Sequence, residues 1–210
     1  MNKVELKSKV MKEFFAQLLI CVIGMVLGMA FIPVELALVA GVGSLVVLIV
    51  AAIIRMRESK HLSRFICNTV VFLLGINIYP AINYYLSEIG AELVLVAFGI
   101  TTVLFGSLAI YAEKSKKDFT FLGGTLFSAL LGLILISVVG LFIQAELLHL
   151  LISWLGVIIF SGYVLFDISK INYYEYTVAD VPSLALDLFL DFLNLFLDIL
   201  RIIAILKSDD

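Results

Sequence analysis

A succession of long apolar stretches constrains the fold of this chain more than any other feature. The hydrocarbon core of a bilayer is about 30 Å thick, so a helix that crosses it needs about 20 mostly apolar residues. Seven stretches of roughly that length follow one another here, separated by short polar segments. Hydrophobic residues make up 63% of the 210 residues and charged residues 15%, which is more apolar surface than a soluble domain could bury. We therefore predict an all-α integral membrane protein.

The seven stretches leave little of the chain for any other structure. We predict one membrane domain over residues 1–210, with transmembrane helices at about 14–32, 36–54, 62–83, 93–111, 119–143, 147–166 and 182–206. The first stretch is too long for a signal peptide and lacks a small-residue cleavage site, so we expect an uncleaved helix. Small residues let membrane helices approach closely, and pairs of them recur at Gly24/Gly28, Gly99/Gly106, Gly132/Gly140 and Gly156/Gly162.

Basic residues lie in every second connection. The N-terminus carries four Lys, the connection after the second segment four basic residues, and the connection after the fourth three Lys. Lys170 follows the sixth segment, whereas the opposite connections contain Glu but no Lys or Arg. Because cytoplasmic loops are rich in Lys and Arg, we predict a multi-pass cell-membrane protein with a cytoplasmic N-terminus. Arg201 and Lys207 near the C-terminus leave open whether the seventh segment crosses fully or re-enters.

The seventh segment is unusual because it is apolar but carries charges along one side. A charge at the centre of a spanning helix costs roughly 2.5–3.5 kcal/mol on insertion scales, so this side should face protein or water. We expect the helix to lie inside the bundle, surrounded by the others. A helix on the membrane surface is the alternative, although such helices usually carry Lys and Arg. At about 100° per residue, one stripe about 80° wide contains Ser183, Asp187, Asp191, Asn194, Asp198 and Arg201.

A second carboxylate, Asp167, ends the sixth segment on the side from which the seventh begins. It is either a helix-end charge that reaches the interface or a close neighbour of Asp191. Two carboxylates in contact at low dielectric tend to share one proton. Such a pair joins two helices when protonated and separates them when ionised. Carboxylate oxygens also bind Ca²⁺, so Asp167 and Asp191 form a candidate Ca²⁺ site. Polar residues along a pore attract cations, and the candidate ion pathway comprises Asp187, Asn194 and Asp198.

The last two segments resemble a known family. Gly162-Tyr-Val-Leu-Phe-Asp167, followed by Asp187-Leu-Phe-Leu-Asp191-Phe-Leu-Asn194, resembles the last two helices of the transmembrane Bax inhibitor motif-containing (Bax inhibitor-1) family. The Tyr79-Pro80 step and the segment Ala97-Phe98-Gly99-Ile-Thr101 are also similar to it. The resemblance extends from the first helix to the end of the chain and is strongest to the short, prokaryotic-type members.

The resemblance implies a fold in which two three-helix groups surround a central C-terminal helix. It also implies a pH-sensitive Ca²⁺ leak, with a di-aspartyl sensor at Asp167 and Asp191 and an associated arginine at Arg55. From the residues alone, Arg55 is equally well a topology residue. We therefore predict a pH-sensitive calcium leak channel in a lipid bilayer. Ca²⁺ is the permeant ion and H⁺ the signal, and we expect no cofactor and no nucleic-acid partner.

Two other function classes remain open. An intramembrane aspartyl protease also places one Asp on each of two adjacent helices, and a shared proton suits acid–base catalysis. That class carries Gly-x-Gly-Asp at the second Asp, whereas Phe189 and Leu190 precede Asp191 here, so we expect no enzyme. A cation–proton exchanger with two similar halves around a binding helix is the other alternative. His61 and His149 lie near opposite membrane faces, so we expect no histidine metal site.

Overall fold

The computed structural model describes residues 2–33, 36, 62–115, 117–140, 142–143 and 145–208. Within these ranges the secondary structure is helical and contains no strand, which confirms the predicted all-α class. Short 3-10 turns at Thr120–Leu122 and Val178–Asp180 precede the α-helices that begin at Gly123 and Val181. The α-helices are α1 (Lys3–Phe31), α2 (Arg64–Glu88), α3 (Gly90–Lys114), α4 (Gly123–Gly140), α5 (Glu146–Tyr173) and α6 (Val181–Ser208).

These helices correspond to the predicted first and third to seventh segments. The predicted second segment, 36–54, and Arg55 after it lie outside the described residues, apart from Leu36. The seven-helix count and the grouping of helices around a central one therefore stay predictions. Helix α1 begins at Lys3 rather than at residue 14, so the basic N-terminal residues are helical. The Asn2 side chain caps its first turn by accepting from the Val4 N–H at 3.3 Å.

Five of the described helices, α1 to α5, are long and apolar enough to cross a membrane. The span that contains α4, Thr120–Gly140, includes the 3-10 turn before this helix. Large apolar side chains point outward from them, such as Leu95, Val103 and Leu135, each 69% exposed. Such outward apolar surface is expected where lipid is the solvent. Helix α6 is not among the five because of the charges that it carries.

The chain divides into two compact units. Unit 1 comprises Met1–Tyr84 and Glu175–Phe189, and unit 2 comprises Tyr85–Tyr174 and Leu190–Asp210. Helix α6 contributes its first residues to unit 1 and the rest to unit 2. Both predicted sensor carboxylates, Asp167 and Asp191, belong to unit 2.

In unit 1, glycines allow α1 and α2 to approach each other closely. A Cβ added to Gly24 would lie 3.2 Å from the carbonyl carbon of Phe72, and one added to Gly75 would lie 3.0 Å from the Met25 nitrogen. The Tyr79 ring lies over Gly28, and its hydroxyl donates a hydrogen bond to the carbonyl oxygen of Ile32. The predicted close contact at the small residues of the first helix is therefore confirmed.

In unit 2, α5 packs against both α3 and α4. The second half of α6 runs antiparallel to α3. The Phe192 ring contacts Phe105 at 5.5 Å between centroids and Phe98 at 5.7 Å. Further along α6, Lys207 Nζ donates to the carbonyl oxygen of Ile89 at 3.1 Å. The end of α6 therefore reaches the start of α3, which is itself a candidate span.

Candidate functional site

Helix α5 positions Asp167 more deeply than the sequence predicted. The predicted segment stopped at 166, but the helix continues to Tyr173 and places Asp167 more than one turn inside it. The predicted end was wrong because polar residues continue the helix past the apolar stretch. The Tyr174 N–H donates to the carbonyl oxygen of Lys170 at 2.9 Å and closes the last turn. The Ser169 hydroxyl accepts from the Phe119 N–H at 3.2 Å, which ties α5 to the segment before α4.

Asp167 forms a buried ion pair. Lys170 Nζ lies 2.7 Å from Asp167 Oδ1, and the two side chains are 15% and 8% exposed. The Lys170 ammonium also lies 5.0 Å from the centroid of the Phe166 ring, a favourable cation–π distance. From the sequence, Lys170 is predicted to act only as a topology residue, whereas in the structure it is a counter-charge for one predicted sensor residue.

Tyr163 lies within electrostatic range of the two predicted sensor carboxylates. Asp167 and Asp191 both act electrostatically on its phenol, which lies one turn before Asp167 on α5. Asp191 comes from α6 and is 5% exposed. The structure thus buries both carboxylates in unit 2, and Asp167 has the Lys170 ammonium 2.7 Å away. Groups arranged in this way can hold a proton or attract a cation, and the role of the carboxylates as a pH sensor stays a prediction.

For the remaining predicted residues, the structure shows local contacts of Asp198 and Asn194. Asp198 lies against Gly156 of α5, where an added Cβ would be 2.7 Å from its Cγ. The Asn194 amide donates to the carbonyl oxygen of Leu190 at 2.7 Å, within its own helix. Asp187 is half-buried and belongs to unit 1, and Arg55 lies outside the described residues. The ion pathway therefore also stays a prediction.

No metal centre is formed by the parts of the chain that the structure describes. In those parts, no three His, Cys, Asp or Glu side chains converge as metal ligands. Asp167 and Asp191 supply two carboxylates, which is fewer than the six to eight oxygen ligands that Ca²⁺ takes in a closed site.

The start of α6 is fixed by local hydrogen bonds in unit 1. The Thr177 N–H donates to Asp180 Oδ2 at 2.8 Å, and the Asp180 N–H donates back to the Thr177 side chain, so a capping box closes the 3-10 turn before α6. The Thr177 hydroxyl also donates to Asp180 Oδ2, at 2.9 Å. The Ser183 hydroxyl then donates to the carbonyl oxygen of Asp180 at 2.9 Å. Pro182 occupies the first turn, where its missing N–H costs nothing.

Two buried polar residues of α1 were missed by the sequence reasoning. Glu13 is 9% exposed and pairs with Arg64, whose Nε lies 3.0 Å from its Oε1. Gln17 is fully buried and donates to the carbonyl oxygen of Pro182 at 3.2 Å. A signal was present in the sequence. Extending the stripe from Gly24 and Gly28 toward the N-terminus, in steps of three or four residues, leads to Gln17 and then to Glu13.

Comparisons with known proteins agree with this membrane architecture. The family model "Bax1-I: Inhibitor of apoptosis-promoting Bax1" matches residues 5–208. An "Uncharacterized membrane protein" of Vibrio cholerae is 34% identical over 68% of this chain and 64% of its own length. The "Golgi anti-apoptotic protein" of vaccinia virus strain Lister is 34% identical over 62% of this chain and 59% of its own. "Inner membrane protein YbhL" of Escherichia coli is 35% identical over 50% of this chain and 49% of its own. The chain thus spans about half to two thirds of these relatives.

Proposed function

We propose that this chain, which belongs to the Bax inhibitor-1 family, is a pH-sensitive leak channel for Ca²⁺ and not an enzyme. It is a multi-pass membrane protein, as its apolar helices and its relatives indicate. The gate is the pair Asp167 and Asp191, which share a proton between α5 and α6. One observation carries the proposal, namely that both carboxylates are buried within unit 2, Asp167 on α5 and Asp191 on α6.

The chemistry of this pair supports a proton-controlled gate. At low dielectric, two nearby carboxylates are stable with one shared proton, and the second ionisation is opposed by charge repulsion. The hydroxyl of Tyr163 can donate to one carboxylate while the Lys170 ammonium neutralises the other. Loss of the shared proton then leaves an excess negative charge between α5 and α6. The helices separate, or a cation enters to balance the charge.

The membrane orientation is part of the same proposal. The N-terminus is cytoplasmic because Lys and Arg are concentrated in the N-terminal segment and in alternate connections. Helix α6 has 28 residues, which is about 42 Å at the rise of an α-helix and long enough to cross a bilayer. The bond from Lys207 to Ile89 supports a full crossing over a re-entrant helix, since it places the end of α6 at the start of α3.

Flux measurements on purified protein test the proposed function. The protein is reconstituted in liposomes that contain a Ca²⁺ indicator, and the initial Ca²⁺ influx is recorded from pH 5 to pH 9. We expect influx that depends on pH and does not require a counter-gradient of protons. Liposomes that stay Ca²⁺-tight at every pH would rule the leak out. Saturable exchange with a fixed proton ratio would instead identify a transporter.

Replacing Lys170 with Met should move the midpoint of the pH response to higher pH. The ammonium lies 2.7 Å from Asp167 Oδ1 in a buried position and favours the ionised carboxylate. Without it, the shared proton is retained up to a higher pH. We expect a shift of about one pH unit, the usual effect of a close opposite charge.

Lys114→Met is the matched control. Lys114 lies in the last turn of α3 and is exposed, so the same loss of charge is made away from Asp167. Its midpoint should stay within about 0.2 pH units of the unmodified protein because solvent screens exposed charges. Equal midpoints for Lys170→Met and the unmodified protein would show that the ion pair does not set the response.

A further inference from the structure

Gly156 of α5 is distinguished from the other described glycines of unit 2 by what it faces. An added Cβ would meet nothing within 4 Å at Gly99, Gly106 or Gly132, and would meet apolar Leu126 at Gly162. At Gly156 it would lie 2.7 Å from Cγ and 3.1 Å from Oδ1 of Asp198. The missing side chain therefore creates a space on α5 that the carboxylate of Asp198 fills.

The surroundings of this contact are tightly packed. On α5, Ile152 is 4% exposed and Ser153 is fully buried. On α6, the next residue, Ile199, is 7% exposed, and Arg201 acts electrostatically on Asp198 from one turn further on. Asp is a short side chain, so its carboxylate leaves the space beside Gly156 by rotation about the Cα–Cβ bond of Asp198. Nothing larger than hydrogen at position 156 is compatible with the observed rotamer.

We propose that Gly156 is a positioning residue that seats the Asp198 carboxylate against α5, and that this seat closes the seam between α5 and α6 to cations. This inference rests on the proposed leak. The carboxylate is held against a helix backbone, so a cation cannot pass along the seam at this level unless Asp198 swings out. The seam would then be controlled at two levels, by Asp198 here and by the Asp167–Asp191 pair elsewhere.

Gly156→Ala tests the seat directly. The methyl group displaces the carboxylate, and we expect the initial Ca²⁺ influx to rise at least about fivefold, the factor that corresponds to a small overpacking cost. Gly132→Ala is the matched control, because its methyl group meets open space on α4, and its influx should stay within about twofold. Equal influx in the two variants would overturn the proposal.

Substitutions at Asp198 distinguish the loss of the contact between Asp198 and Gly156 from a general loosening of the packing between α5 and α6. Asp198→Ala empties the seat and Asp198→Asn fills it with the same shape, while both remove the charge, so the influx of Asp198→Ala should be the higher of the two. In the double variant Gly156→Ala/Asp198→Ala the new methyl group occupies the emptied space, so the influx should fall from that of Asp198→Ala to within about twofold of that of Asp198→Asn. Influx that equals the combined effects of the single changes would contradict the seat. If Gly156→Ala does not fold, the Ala and Asn variants of Asp198 still decide.

A second measurement does not depend on flux. Asp198→Cys is made in a chain whose native cysteines, Cys21 and Cys67, are replaced by Ser. The labelling rate with a small, membrane-impermeant thiol reagent is compared with Gly and with Ala at position 156. We expect labelling to be at least about fivefold faster with Ala. Equal rates would disprove the seat, whereas liposomes that are Ca²⁺-tight in all variants would disprove the leak itself.

Discussion

Asp191→Asn should remove most of the pH dependence of Ca²⁺ influx. An amide cannot lose a proton in this range, so it keeps this position in the neutral, hydrogen-bonding form that a protonated Asp191 has. Asp167 then keeps the Lys170 ammonium as its own partner and no longer shares a proton. We therefore expect the influx of the variant at every pH to equal the value of the unmodified protein at the acidic end. Across the pH range, the influx of the variant should change by less than about twofold. In a titrating group, one pH unit changes the ratio of the two protonation states about tenfold.

The measurement is the liposome assay described above, made on Asp191→Asn, Asp167→Asn and the double variant. Because the two carboxylates act as one titrating pair, the double variant should be no flatter than either single one. Asp118→Asn is the control. That carboxylate is exposed and accepts a local hydrogen bond from the Thr120 N–H at 2.8 Å, so the pH response should be unchanged. A full pH response in Asp191→Asn would refute the gate even if the leak itself were real.

The hydrophobic pattern was sufficient to predict where the described helices lie, but not where they end. Apolar length measures the part of a helix that lies in lipid, whereas backbone hydrogen bonds continue into water wherever side chains support them. Helix α1 therefore starts at Lys3, with a Glu5–Lys9 ion pair of 2.7 Å on its exposed surface. Helix α5 continues to Tyr173 for the same reason. Because α5 extends to Tyr173, Asp167 lies inside the helix and is buried, whereas the hydrophobic pattern placed it at a helix end.

The partners of the buried charges could not be predicted from the sequence. The stripe on the last helix followed from its 3.6-residue repeat, and the 5% exposure of Asp191 agrees with a helix side turned away from lipid. Which residue faces each charge depends on the rotation and depth of a second helix. Periodicity within one helix contains no such information. The contacts of Asp198 with Gly156 and of Glu13 with Arg64 are of this kind.

Small residues show the same limit. The sequence marks Gly24 and Gly28 of α1 in the same way as Gly99 and Gly106 of α3. Only the first pair lies against another helix in the described structure, since a Cβ at Gly99 or Gly106 would meet nothing within 4 Å. A glycine in a membrane helix permits a close approach but does not require one. Whether a close approach occurs depends on the neighbouring helix. For α1 that neighbour is α2, which has Gly75 at the contact.

Gly75→Ala should be the most destabilising single methyl addition among the described glycines of unit 1. Its Cβ would lie 3.0 Å from both the carbonyl carbon of Cys21 and the nitrogen of Met25. These are backbone atoms of α1, so no side-chain rotation can relieve the overlap and the two helices must separate. Overpacking of this kind costs about 1–3 kcal/mol, which corresponds to a fall in melting temperature of about 2–12 °C for a chain of this size.

Thermal unfolding in detergent, followed by size-exclusion chromatography, measures this fall against two graded controls. At Gly28 the new methyl group would meet the Tyr79 ring, 2.6 Å away, and a ring can move where a backbone cannot. Gly28→Ala should therefore lower the melting temperature by less than Gly75→Ala does. Gly132→Ala faces open space and should leave it within about 2 °C, since a surface substitution changes stability by at most about 0.5 kcal/mol. The order matters more than the values, because it follows from what each methyl group meets. If Gly75→Ala melts together with Gly132→Ala, α1 and α2 are not in backbone contact.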